Sequence, residues 1–99
     1  MHARMTTIQG TPERLDDMAR QFEADVVPQI RELSGFQGYM LMGDRGDGRA
    51  IALTFWSSEQ ALRDSEEAVM AMRQSAADTA GASGRPQVDR FEVVQHQLS

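Results

Sequence analysis

Two apolar runs, FQGYMLMG at 36–43 and RAIALTFW at 49–56, are joined only by Asp44-Arg45-Gly46-Asp47-Gly48. Runs of this length around a glycine-rich connection specify a β-hairpin. A sheet with one wet face alternates apolar and polar residues. These strands do not. In the first, Phe36, Met40 and Met42 share one side, and Tyr39 and Leu41 the other. In the second, Ile51, Leu53 and Phe55 oppose Ala50, Ala52, Thr54 and Trp56. Both faces of the hairpin therefore need cover. Their alternation with Thr54 and Trp56 predicts that Leu53 and Phe55 point toward a helical layer.

Two helices supply that layer. Thr11-Pro12-Glu13 reads as a start, with Thr as N-cap, Pro in the first turn and an acid near the positive end of the dipole. Leu15, Met18, Ala19, Phe22 and Val26 follow at helical spacing. Pro28 cannot donate to the ladder, so it should stop or kink the helix, with a short turn over 29–33. The second helix opens at Ser57, with Gln60 completing a capping box. Leu62, Ser65, Val69, Met72 and Ala76 form its stripe, and Gly81, Gly84 and Pro86 end it. The pairs Asp16/Arg20 and Glu59/Arg63 stand acid-first, four apart, on polar sides. Residues 3–9 and 87–96 read as a first and a last strand.

The order β-α-β-β-α-β is the ferredoxin-like, split βαβ pattern, an α+β fold. Right-handed crossovers give an antiparallel four-stranded sheet in the order 4-1-3-2, with two helices on one face. A chain of 99 residues forms one domain over 1–99 and has no segment left for the other face. A second copy of the same sheet is the simplest cover. The expectation is a homodimer through the open sheet face, a dimeric α+β barrel.

Charge and composition exclude several classes. The formal charge is −5, so no nucleic acid is expected as partner, since phosphate binding needs a basic patch. Cysteine is absent, which removes disulfides, thiol nucleophiles and thiolate metal sites. No apolar run approaches the roughly 18 residues of a membrane span, and MHARMTT lacks the apolar stretch of a signal peptide. No membrane partner and a cytoplasmic location are expected. All ten basic residues are scattered arginines.

Few residues carry chemistry. The Arg45-Gly46-Asp47 tripeptide lies in the hairpin connection, and a strand rather than a helix follows its glycines, so it is no phosphate cradle. His2 and His96 fall on neighbouring strands, but Glu92 stands about 13 Å from His96 along a strand, too far for a third ligand. No metal site is expected. The adjacent acids Asp16-Asp17 and Glu66-Glu67 diverge around their helices and read as solvated surface. No Gly-x-Ser-x-Gly elbow is present. Trp56, the only tryptophan, ends the third strand just before a helix. With Phe36, Tyr39, Met40 and Met42 it has the character of either an apolar ligand pocket or plain packing.

Gly35-Phe36-Gln37-Gly38-Tyr39, the junction Leu53-Thr54-Phe55-Trp56-Ser57-Ser58-Glu59-Gln60-Ala61, and the segment from Asp64-Ser65-Glu66 to Arg73 resemble the antibiotic biosynthesis monooxygenase family. That family lies within the dimeric α+β barrel superfamily. The resemblance implies a cofactor-free oxygenase for a quinol or polyketide-type aromatic, with Trp56 as the catalytic candidate. Together with the apolar residues around Trp56, this gives Phe36, Tyr39, Met40, Thr54 and Trp56 as the expected substrate-binding residues. The family's heme degraders pair an Asn on the first strand and a Trp on the third with an axial His on the second helix. This chain keeps Trp56 but has no asparagine, and no histidine within 58–79. Thr6 and Thr7 stand in the first strand instead. No cofactor is expected. The alternative is a non-catalytic module that binds a small apolar or aromatic ligand.

Overall fold

The computed structural model describes residues 1–79, 81 and 84–97, without the side chains at 71, 75–77 and 79. Ala76, expected on the second stripe, lies outside that description. The strands are β1 (His2–Gln9), β2 (Phe36–Gly43), β3 (Arg49–Trp56) and β4 (Gln87–Glu92). They form one sheet in the order β2-β3-β1-β4, antiparallel at every pairing. This is the expected ferredoxin-like α+β arrangement. β4 ends at Glu92, short of the expected residue 96, and Val94 beyond it is exposed.

The first helical region does not stop at Pro28. A 3-10 turn at Pro12–Arg14 leads into α1 (Leu15–Gln21), a π-turn over Phe22–Val26, and α2 (Val27–Ile30). The cause is local. Proline has no N–H to donate, and its ring crowds the carbonyl four residues back. The helix widens just before it, and the Val27 N–H donates to the Phe22 carbonyl. Phe22, Val26, Val27 and Ile30 all stay buried.

The second region splits into α3 (Glu59–Asp64) and α4 (Glu66–Thr79) at Ser65. Its N-cap is Ser58, whose side chain accepts from the Ala61 N–H, one residue after the expected Ser57. Ser57 instead donates its backbone N–H to the Gly35 carbonyl at 2.8 Å. The hairpin connection is a turn built on Asp44, whose Oδ1 accepts from the Gly46 N–H at 2.8 Å. Asp16 pairs with Arg45 of this turn at 2.9 Å, while Arg20 pairs with Asp17 rather than with Asp16. The Glu59–Arg63 pair forms as expected.

The strand phase is the reverse of the expectation. Ala50, Ala52, Thr54 and Trp56 face the helices, and Ile51, Leu53 and Phe55 face away. In β2 a bulge between Phe36 and Gly38 places two residues against one of β3, with Phe36 opposite Trp56 and Gly38 opposite Phe55. Phe36 therefore joins Tyr39 and Leu41 on the helix side, opposite Met40 and Met42. The outer face carries Met5, Met40, Met42, Ile51, Leu53 and Phe55, with Phe91 beside them on β4. Ala3 is buried between Phe55 and Phe91.

Candidate functional site

The register lays the helix-facing side chains in cross-strand rows. Phe36, Trp56, His2 and Glu92 form one; Tyr39, Thr54, Arg4 and Arg90 the next; Leu41, Ala52, Thr6 and Val88 the third. Small residues at 50, 52 and 54 leave the space between the helices and the middle of the sheet unfilled. The result is a half-open cleft with a cavity of about 60 Å³. Its floor is Leu41, Ala50, Ala52 and Thr54. Met18, Phe22 and Ile30 cover one side, and Val69 and Met72 of α4 the other. The walls are mostly apolar. Thr6, Thr54, Arg4 and Arg73 supply the polar groups.

Trp56 is fully buried, at 0% exposure, and lies beside the cleft rather than on its wall. Its indole N–H donates to Thr54 Oγ1 at 3.0 Å. Phe36 packs edge-on against it at 5.5 Å between centroids, and the Arg4 guanidinium sits over its ring at 5.6 Å. Such a cation–π contact in a desolvated place is worth on the order of 1–2 kcal/mol. Of the sequence candidates, Thr54 is the one on the cleft wall. Trp56 and Phe36 stand behind it. Tyr39 packs on Phe22 at 5.4 Å and is partly exposed. Met40 is on the opposite face of the sheet, beside Leu53 in register.

The strongest electrostatic feature was not legible as a site. Arg4 is 3% exposed, and its Nη2 donates to the Leu62 carbonyl at 2.8 Å and to Ser65 Oγ at 2.7 Å. Three guanidiniums meet one carboxylate at Glu66. Arg90 Nε lies 2.5 Å from Oε1, Arg4 Nη2 3.3 Å from the same oxygen, and Arg73 Nη2 3.6 Å from Oε2. Burial alone would raise the Glu66 pKa. The hydrogen bond from Arg90, the charges of Arg4 and Arg90, and the hydrogen bond from Arg4 overcome it and hold the carboxyl below its ordinary value. Burial likewise pulls the Arg4 pKa down. Glu66 opposes that, and the like charges of Arg73 and Arg90 add to it. Glu67 is exposed as expected, but Glu66 is not a solvated surface acid. The one available signal was Arg4 in a strand where Thr6 and Ile8 share its side.

His2 faces Glu92 in register, and His96 lies beyond the sheet and is exposed. Among the described residues no group of three metal-ligating side chains converges, and no helix is long and apolar enough to cross a membrane.

Comparison with known proteins places this architecture. The monooxygenase ActVA-Orf6 of Streptomyces coelicolor, solved with nanaomycin D, superposes with a TM-score of 0.81 at 19% identity, covering 99% of this chain and 91% of that one. The heme degrader MhuD of Mycobacterium tuberculosis, solved with two hemes, gives 0.75 at 20% identity over 99% and 100%. Two uncharacterised M. tuberculosis proteins, Rv2557 and Rv2558, are 33% and 35% identical over 93 residues, or 94% of this chain. This chain spans about two fifths of their length, 41% and 39%. The profile of the antibiotic biosynthesis monooxygenase family matches residues 1–69, and the chain belongs to that family.

Proposed function

We propose that this protein is a cofactor-free, monooxygenase-like protein that takes a quinol or polyketide-type aromatic into the cleft between sheet and helices. The observation that carries the reading is the oriented hydroxyl of Thr54. Its oxygen accepts from Trp56, so its own proton is available to a ligand oxygen at the cleft wall. Thr54 touches the substrate, and Trp56 acts through Thr54 by fixing that direction. Oxygen would insert as in an anthrone: a ring methylene loses two hydrogens, one oxygen atom becomes the ring carbonyl, and the other leaves as water. The substrate supplies all the electrons.

A cavity of roughly 150 Å³ is needed to hold one benzene ring. The cleft at about 60 Å³ must therefore widen for any aromatic, and the flexible side chains of Met18 and Met72 are placed to move. A heme fits less well. Among the described residues that line the cleft there is no histidine, so no step is assigned to heme.

The reading includes a homodimer through the outer sheet face. Met40 and Met42 are 39% and 40% exposed there, and Phe91 52%. Covering such a face in a stable dimer buries on the order of 1,500 Å² in total. Met40 is assigned to that interface.

One observation favours the alternative, a non-catalytic ligand-binding module. No carboxylate or imidazole is among the described cleft-lining residues, so the substrate's proton has no conventional acceptor there. Oxygen uptake with a panel of hydroxyanthrones and quinols separates the two readings. Uptake above the buffer rate that falls about tenfold or more in Thr54→Val, the scale of a lost buried hydrogen-bond donor, supports the enzyme. Compounds that alter Trp56 emission without raising uptake support the module.

A further inference from the structure

We infer that the ligand of this cleft carries a carboxylate, received by Arg4 and Arg73. The inference rests on the reading of the cleft as a ligand site and adds the ligand's charge to it. Three guanidiniums share the single carboxylate of Glu66, so this corner carries an excess of two positive charges. Arg90 is half exposed and finds compensation in water and in Asp89. Arg4 and Arg73 face the cleft.

Arg73 is the incomplete member. Its side chain is 16% exposed, and its Nη2 is buried without a hydrogen-bond acceptor. The 3.6 Å separation from Glu66 Oε2 is too long to count as one. A buried guanidinium N–H without an acceptor is destabilising, and arginine is not relieved by losing its proton. An anion entering the cleft supplies the missing acceptor and the missing charge together. A carboxylate suits the place for two reasons. Its two coplanar oxygens match the fork of a guanidinium. Its single charge also costs less to desolvate among Leu41, Ile30 and Val69 than a phosphate dianion would. Arg4 is the register partner of Thr54. The carboxylate therefore lies next to the ligand oxygen that meets the Thr54 hydroxyl, and a hydroxy- or oxo-arene with an acid group nearby fits both contacts.

The test compares 2-naphthoate with 2-naphthamide, which share a body and differ in charge, by calorimetric titration and by Trp56 emission. Trp56 reports on the site because Arg4 lies over its ring. The expected result is naphthoate binding at least tenfold tighter than the amide. In Arg73→Gln that preference falls to within about twofold, and Arg73→Lys keeps part of it, because the charge remains and the fork is lost. Arg73 is not part of the central core, and unchanged circular dichroism certifies that each variant folds. Equal binding of naphthoate and naphthamide overturns the inference while the ligand cleft stands. A preference that survives Arg73→Gln, or tighter binding of 2-naphthyl phosphate, also overturns it. If neither naphthalene binds, the ligand-cleft reading and the inference fall together.

Discussion

Trp56→Phe is the sharpest probe of how the site is built. The substitution removes the indole N–H that reaches Thr54 Oγ1 at 3.0 Å and trims the ring inside a place with no solvent access. The lost hydrogen bond contributes about 1 kcal/mol. The vacated part of the ring is near two buried methylenes, about 1.5 kcal/mol. The phenyl ring keeps the stacking on Phe36 and part of the attraction to Arg4. A net loss of about 2.5 kcal/mol lowers the melting temperature of a domain this size by about 10–20 °C. Circular dichroism at fixed protein concentration is the assay, since the proposed dimer would make the melting point depend on concentration. Thr54→Val isolates the polar part, leaving the indole donor buried without an acceptor at a cost of about 1–3 kcal/mol. The double variant should recover about 1 kcal/mol relative to the sum of the singles. A Trp56→Phe melting point within about 4 °C of the parent, or strict additivity in the cycle, would refute the account of Trp56 as a buried residue that orients Thr54.

Three further outcomes are expected. Light scattering at micromolar concentration should give twice 11.0 kDa for the parent, and Phe55→Asp, on the outer face, should leave an 11.0 kDa species; an unchanged mass defeats the proposed interface. Gly48→Ala should destabilise by about 2 kcal/mol or more, because Gly48 has φ +82° and a Cβ there would stand 2.6 Å from the Gly10 carbonyl oxygen; an unaltered urea midpoint counts against that close approach. Glu66 has a folded pKa below its ordinary value of 4.5, so its stabilisation is present above that value and is lost as pH falls through the folded value. The loss in melting temperature from pH 7 to pH 3 should therefore be smaller in Glu66→Gln than in the parent, and parallel acid profiles would contradict the three-arginine contact.

The hairpin strands, the sheet order and both helical regions were legible from apolar runs around a glycine-rich connection, capping residues and stripe spacing. The phase of β3 was not. Alternation with Thr54 and Trp56 assigns Leu53 and Phe55 to the helices, yet they face out with Ile51, because the helix side keeps Ala50, Ala52 and Thr54 small around a cleft. Alternation separates the two faces of a strand and does not say which of them borders a space that must stay open. Pro28 was legible as a disturbance but not as the cause of a π-turn, since a helix packed on a sheet has buried residues on both sides of the break. The site itself was half legible. Thr54 and Trp56 stood out with the junction they belong to. Glu66 and Arg73 stand two turns apart on α4, but Arg4 comes from β1, 62 residues before Glu66, and no spacing rule joins residues so far apart in the chain.

The bulge in β2 also fixes where this fold tolerates a change of length. Removing one residue from an ordinary strand turns every side chain on one side of the gap to the wrong face. Gln37 is the exception. Gly38 already faces Phe55 and Phe36 already faces Trp56, so deleting Gln37 leaves a plain ladder with Phe36, Tyr39 and Leu41 toward the helices and Met40 and Met42 away from them. The adjustment then falls on the short approach at Ser34-Gly35. Relatives that differ by one residue here would keep both the cleft and the outer face, whereas a deletion at Tyr39 or Met40 would exchange the residues that line one for those that cover the other.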